Sequence, residues 1–120
     1  MKIAINCRSF LKKQYTGIGR YAFHLVHSLS EIDRVNEYQL YVRKGLFDFR
    51  REIPQFKTKN FQVALDRFKG GPDKILNDID IYHAPSPEDL NITVAKRIVV
   101  TVHDLIWPDG FGRVYLHLSI

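Results

Sequence analysis

Residues 2–7 alternate weakly and are rich in Ile and small apolar side chains, the pattern of a parallel strand buried on both faces. Residues 8–16 turn polar and basic. From 17 to 33, apolar residues recur at Ile18, Tyr21, Ala22, Leu25, Val26, Leu29 and Ile32. That spacing predicts an amphipathic helix with one buried stripe, leaving Arg20, His24, His27 and Glu31 outside. Residues 38–43 predict a second strand, because Tyr and Val favour pleated backbone. Pro54 interrupts 44–59, where a short helix around 47–51 fits. Residues 60–65 read as a third strand, and Gly70-Gly71-Pro72 as a turn in which Pro72 opens a short helix reaching Asn77. Residues 79–84 and 97–102 are the last two strands, the second almost wholly β-branched. Strands alternating with helical patterns predict an α/β fold with a largely parallel sheet and right-handed crossovers. No internal repeat or low-complexity linker interrupts it.

The pattern changes after Val102. Pro108, Gly110 and Gly112 break it, and 114–120 then alternates apolar and more polar side chains. Such a segment can add an edge strand, within the monomer or across a homodimer, with helix as the alternative. The expected division is therefore a domain at 1–107 and an atypical segment at 108–120.

A chain of 120 residues, 45% hydrophobic, suits one domain with one core. No apolar run approaches the roughly 20 residues that span a bilayer. The first residues enter a strand pattern without the apolar stretch and cleavage site of a signal peptide, so a cytoplasmic location is expected. The single Cys7 cannot form an internal disulfide, in agreement with a reducing compartment. The net charge of +5 is spread over separated doublets such as Arg43-Lys44, Lys57/Lys59 and Lys96-Arg97. Without a basic tract or an RNA-binding aromatic signature, no nucleic-acid partner is expected. The doublets read as solvated faces, or as affinity for phosphorylated ligands or anionic lipids, including peripheral contact with the inner face of a membrane.

In open α/β sheets ligands bind beyond the carboxyl ends of the strands, so the chemistry is sought there. Gly17-Ile18-Gly19-Arg20 opens the long helix, where free backbone NH groups and the helix dipole favour an anion. The glycines equally suit a tight entry into a helix. Gly17 to Ala22 also matches the G-x-G-x-x-A dinucleotide fingerprint, but residues 8–16 separate it from its strand, and Arg43 and Lys44 replace the acid expected after the second strand. A second group is Val99-Val100-Thr101-Val102-His103-Asp104, a strand delivering His103 and Asp104 to its carboxyl end. His103 can bond a sugar hydroxyl or steady a developing charge, its tautomer set by a neighbouring carboxylate; the alternative is a structural His with Asp104 capping the next turn. In the third, Tyr82-His83-Ala84-Pro85-Ser86-Pro87, either His83 and Ser86 line an acceptor cleft or the prolines simply end the strand. Tyr15 and Trp107 can stack on a sugar ring or merely pack. No metal-ligand spacing, nucleophile–base pair or Walker loop is present, and Cys7 reads as packing. No metal and no cofactor are expected.

In order, these motifs resemble family-4 glycosyltransferases over residues 1–107, nearest to the mannosyltransferase-like members with "GIGRY" and "HD" motifs. The residues that carry the likeness are Gly17-Ile18-Gly19-Arg20-Tyr21, Asn36-Glu37-Tyr38, Asp80-Ile81-Tyr82-His83-Ala84-Pro85 and Val99 to Leu105. The resemblance implies the amino-terminal, acceptor-side half of a GT-B fold, with a Rossmann-like open sheet and flanking helices. It implies metal-independent, retaining transfer from an NDP-sugar to a glycan or lipid-linked acceptor. It puts Gly17, Gly19 and Arg20 near the donor diphosphate, and His103 and Asp104 near the transferred sugar. The family's carboxyl-terminal domain, with its two-glutamate motif, has no counterpart in these residues, so this chain alone is expected to be inactive. A noncatalytic binding or assembly module and an NADP-binding domain are the competing expectations.

Overall fold

The computed structural model describes residues 1–11, 17–46 and 55–103. The helix expected at 47–51 and the segment 108–120, with its expected edge strand, lie outside them. Among the described residues five strands form: β1 (Lys2–Asn6), β2 (Glu37–Arg43), β3 (Phe61–Asp66), β4 (Ile81–Ala84) and β5 (Arg97–Val100). They make one sheet in the order β3-β2-β1-β4-β5, with every neighbouring pair parallel. With helix α1 (Gly17–Ile32) and the single turn α2 (Pro72–Ile75), this is an open, Rossmann-like α/β sheet. The chain leaves β1 to build β2 and β3 on one side, then returns to add β4 and β5 on the other. The order therefore reverses between β1 and β4, the place where such sheets open a crevice.

The period of two along each strand sorts side chains into two cores. Ile3, Ile5 and Cys7 join Tyr38, Leu40, Val42 and Phe61 under Ala22 and Val26 of α1. Ala4, Tyr41, Tyr82 and Ala84 face the other way, against Leu76, Ile79 and Ile92. This is why the central strands read as continuous apolar runs. β5 departs from that expectation. Ile98 and Val99 are 44% and 50% exposed, because β5 is an edge strand among the described residues.

The buried stripe of α1 is also rotated slightly from the predicted one. Gly19, Ala22, Val26 and Ser30 are its deepest residues, and Phe23 packs against the core, whereas Ile32 is 78% exposed. Ile32, the helix's last residue, lies well round the helix from the observed stripe, as the 3.6-residue period places it. Strand ends shift by one or two residues, as hydrogen bonding rather than composition sets them. β5 ends at Val100, although the Thr101 amide still donates to the Ala84 carbonyl at 3.0 Å. β3 extends to Asp66, and α2 stops at Ile75 rather than Asn77.

Asp66, 1% exposed, shapes the exit from β3. Its carboxylate accepts from the Tyr41 hydroxyl at 2.6 Å and from the amides of Gly71 at 2.9 Å and Gly70 at 3.1 Å. Gly71 sits at φ +100°, a conformation side chains rarely tolerate. Burial opposes the charge, but the Tyr41, Gly71 and Gly70 donors outweigh it and hold the carboxyl below its ordinary range. A lowered folded pKa stabilises the fold above the unfolded value of 3.8 and loses that contribution as pH falls below it. Asp66→Asn is expected to cost about 1–3 kcal/mol in urea unfolding at neutral pH. It should also flatten the acid limb of the stability–pH curve below pH 3.8; an unchanged acid limb would assign the loss to other carboxylates.

Candidate functional site

Residues of odd number on β4 and β5 face α1, which brings His83, Thr101 and His103 to the helix. Tyr21, one turn into α1, meets them. Its hydroxyl lies 3.0 Å from Thr101 Oγ1, and His83 Nε2 lies 2.8 Å from the same oxygen. The Tyr21 ring meets the His103 ring edge-on at 4.8 Å between centroids, and the His83 ring at 6.2 Å. The amino end of α1 and the histidine beyond β5 therefore share the carboxyl rim of the sheet. A long helical side chain leans back toward its own amino terminus, which suits Tyr21 to this position.

His103 Nε2 lies 2.8 Å from the Pro85 carbonyl oxygen. A carbonyl only accepts, so Nε2 carries the proton and the neutral ring presents an unprotonated Nδ1. The tautomer is thus set by a backbone carbonyl, where the sequence suggested a carboxylate; Asp104 lies outside the described residues. Exposed at the rim, with its ring held by Pro85 and Tyr21, His103 can accept a hydrogen bond from a hydroxyl at Nδ1, or donate to an anion when protonated. His83 is half-buried. Burial first, and the neighbouring His103 second, push its pKa below the ordinary 6.5.

Beside this cluster a buried polar network ties the exits of β1 and β4 together. Asn6 Nδ2 donates to the Tyr82 hydroxyl at 2.8 Å, which donates to the Asp89 carbonyl at 2.8 Å. The Arg8 amide donates to Asn6 Oδ1 at 3.0 Å, and Arg8 Nε pairs with Asp89 Oδ1 at 2.8 Å. Burial pushes the Tyr82 phenol up to about 12, so it remains a donor at all ordinary pH values. The Cys7 thiol is likewise raised by burial, then by Asp89, and behaves as packing.

The expected site residues separate accordingly. His83 and His103 join the Tyr21–Thr101 cluster. Gly17 and Arg20 are exposed at the amino end of α1, while Gly19 is buried on its inner stripe. Ser86 is 4% exposed, and its hydroxyl donates to Asp89 Oδ2 at 3.2 Å, so it braces the β4 exit and makes no described contact with the cluster. Asp104, Tyr15 and Trp107 lie outside the described residues. Sequence reasoning missed Tyr21 and Thr101 as site residues and Asn6, Arg8 and Asp89 as its supports. The signal for Tyr21 was its hydroxyl, which needs a partner when the ring packs. Among the described residues no group of three His, Cys, Asp or Glu side chains is placed to hold a metal.

Because His83 is neutral more readily in the fold than in the unfolded chain, protonation of the unfolded state should erode stability as pH falls below 6.5. A proton NMR titration is expected to give His83 a midpoint under 6.5 that rises in His103→Gln yet stays below 6.5, since burial is the larger cause. A midpoint unmoved by the substitution would remove His103 as a cause. Comparison of the chain with protein-family models, curated proteins and solved structures yields no match, so the site stands on its own geometry.

Proposed function

We propose that this domain is the acceptor-side half of a GT-B glycosyltransferase, transferring a sugar with retention and without a metal from an NDP-sugar to a glycan or lipid-linked acceptor. The observation that carries the reading is the 4.8 Å packing of Tyr21 against His103. Two of the segments that carry the family resemblance, Gly17 to Tyr21 and the described part of the other, Val99 to His103, converge at one rim. The amides and dipole at the amino end of α1 suit a departing diphosphate, and His103 Nδ1 suits a hydroxyl of the transferred sugar. In this reading Gly17, Gly19 and Arg20 border the diphosphate, and His83 lies on the acceptor side of His103. Transfer needs a second wall to position the donor, so the domain by itself binds NDP-sugar weakly. The domain works in the cytoplasm, in peripheral contact with the membrane that carries a lipid-linked acceptor.

A noncatalytic assembly module is the second reading, favoured by the exposed Ile98 and Val99 on the β5 edge. A dimer in solution that is lost on removal of 114–120 would support it. An NADP-binding domain has the Gly17 to Ala22 fingerprint and the basic Arg43 and Lys44 in its favour, but residues 7–16 stand between β1 and α1, where the fingerprint should follow its strand directly.

Gly17 provides the test. Its φ is compatible with any residue, and among the described residues a Cβ there meets nothing within 4 Å. Gly17→Ala should therefore leave the fold intact and stabilise it by about 0.4–1 kcal/mol. It should also weaken GDP- or UDP-sugar binding about ten-fold, because the added methyl stands in the open space through which a phosphate would approach the Gly17 amide. Titration calorimetry and amide NMR would measure both. Absence of any NDP-sugar shift at Gly17, Gly19 and His103, or submicromolar binding of NADP, would defeat the assignment.

A further inference from the structure

We propose that residues 43–46 and 67–74, where the chain leaves β2 and β3, form a docking surface for an anionic lipid bilayer, with Phe68 as the side chain that enters it. The proposal rests on the peripheral-contact part of the reading above and not on sugar transfer.

Arg43 and Asp66 are register partners at the ends of β2 and β3, so the two loops leave the sheet side by side. They carry Arg43 and Lys44 on one loop, and Arg67 and Lys69 on the other, with Lys74 following in α2. Arg43 Nη2 donates to the Lys69 carbonyl at 3.3 Å. The Lys69 side chain lies over Gly45, its Cε 3.6 Å and its Nζ 4.0 Å from where a Cβ would stand, and the Lys74 stem lies over Gly70. None of these cations forms a salt bridge with a described residue. The described carboxylates nearby are engaged elsewhere: Asp66 is buried under Tyr41, Gly70 and Gly71, and Asp73 binds the Thr93 hydroxyl at 2.6 Å and its amide at 2.7 Å. Among the described residues the five cations Arg43, Lys44, Arg67, Lys69 and Lys74 outnumber the two carboxylates Asp66 and Asp73, of which Asp66 acts on Arg43, so the described surface is net positive.

The second observation is apolar. Phe68, between Arg67 and Lys69, is 83% exposed, and Leu46, on the opposite loop, is 49% exposed. Neither contributes to a core. The loop is held in this outward form by the two amides on Asp66, with Lys69 at φ 55°, where non-glycine residues are uncommon. A soluble phosphate would be satisfied by the cations alone and gives no reason to hold a phenylalanine in water. A bilayer interface accounts for both: the ring enters the headgroup boundary while the lysines and arginines meet lipid phosphates.

Cosedimentation of the full chain with vesicles tests this. Binding is expected to vesicles containing phosphatidylglycerol and not to phosphatidylcholine alone, and to weaken as salt is raised. Lys69→Asn, which keeps a residue suited to positive φ, and Lys74→Gln should each weaken binding about five-fold. Phe68→Ser should weaken it about ten-fold. These side chains are exposed, so circular dichroism and the melting temperature should not change. Absence of vesicle binding, equal binding to both lipids, or binding insensitive to all three substitutions would overturn the proposal. So would inorganic pyrophosphate perturbing Lys69 and Lys74 in NMR without any vesicle binding, which would identify a soluble anion instead. None of these outcomes bears on NDP-sugar binding at Gly17 and His103, so each reading can fail without the other.

Discussion

The exits of β1 and β4, where the strand order reverses, are tied in one arrangement by hydrogen bonds from Asn6 through Tyr82 to the Asp89 backbone, with Arg8 closing the chain onto the Asp89 carboxylate. An all-parallel sheet needs such a fastening, because neighbouring strands exit at the same edge and their loops diverge where the strand order reverses. Asn6, Tyr82 and Asp89 are buried, and a buried polar group without a partner costs about 1–3 kcal/mol. The arrangement therefore holds only as a set, and it specifies how the loop after β1 sits against the loop after β4. That in turn sets the rim on which Tyr21 and the two histidines meet.

Electrostatics divides the carboxyl edge of the sheet into two regions. Over β4 and β5 stand imidazoles, one exposed and one half-buried, joined by the Thr101 hydroxyl and the Tyr21 ring. Over β2 and β3 stand arginines and lysines with an exposed phenylalanine among them. The first region suits neutral, hydroxyl-rich ligands and a nearby diphosphate; the second suits a negatively charged surface.

Much of the fold was legible in the sequence because its signals are local. The period of α1 and the apolar runs of β1, β2 and β4 each announce their element, since burial on one or both sides demands them. The misjudged residues lie where tertiary packing decides the outcome. Ile32 fits the expected helical stripe, yet the stripe that is buried runs through Gly19, Ala22, Val26 and Ser30 and leaves Ile32 exposed. β5 has the β-branched composition of a central strand but lies at an edge among the described residues, and composition cannot distinguish the two.

The site was legible only as parts. Residue types and strand-end positions singled out His83 and His103, and the glycines marked the start of α1, because charge, conformation and periodicity belong to short stretches of chain. That Tyr21 joins those parts, that Ser86 braces Asp89 rather than facing the rim, and that a Pro85 carbonyl sets the His103 tautomer came from the tertiary structure alone. Those contacts link residues brought side by side by strand order and register, and a pattern along one segment carries no information about which distant segment will lie next to it.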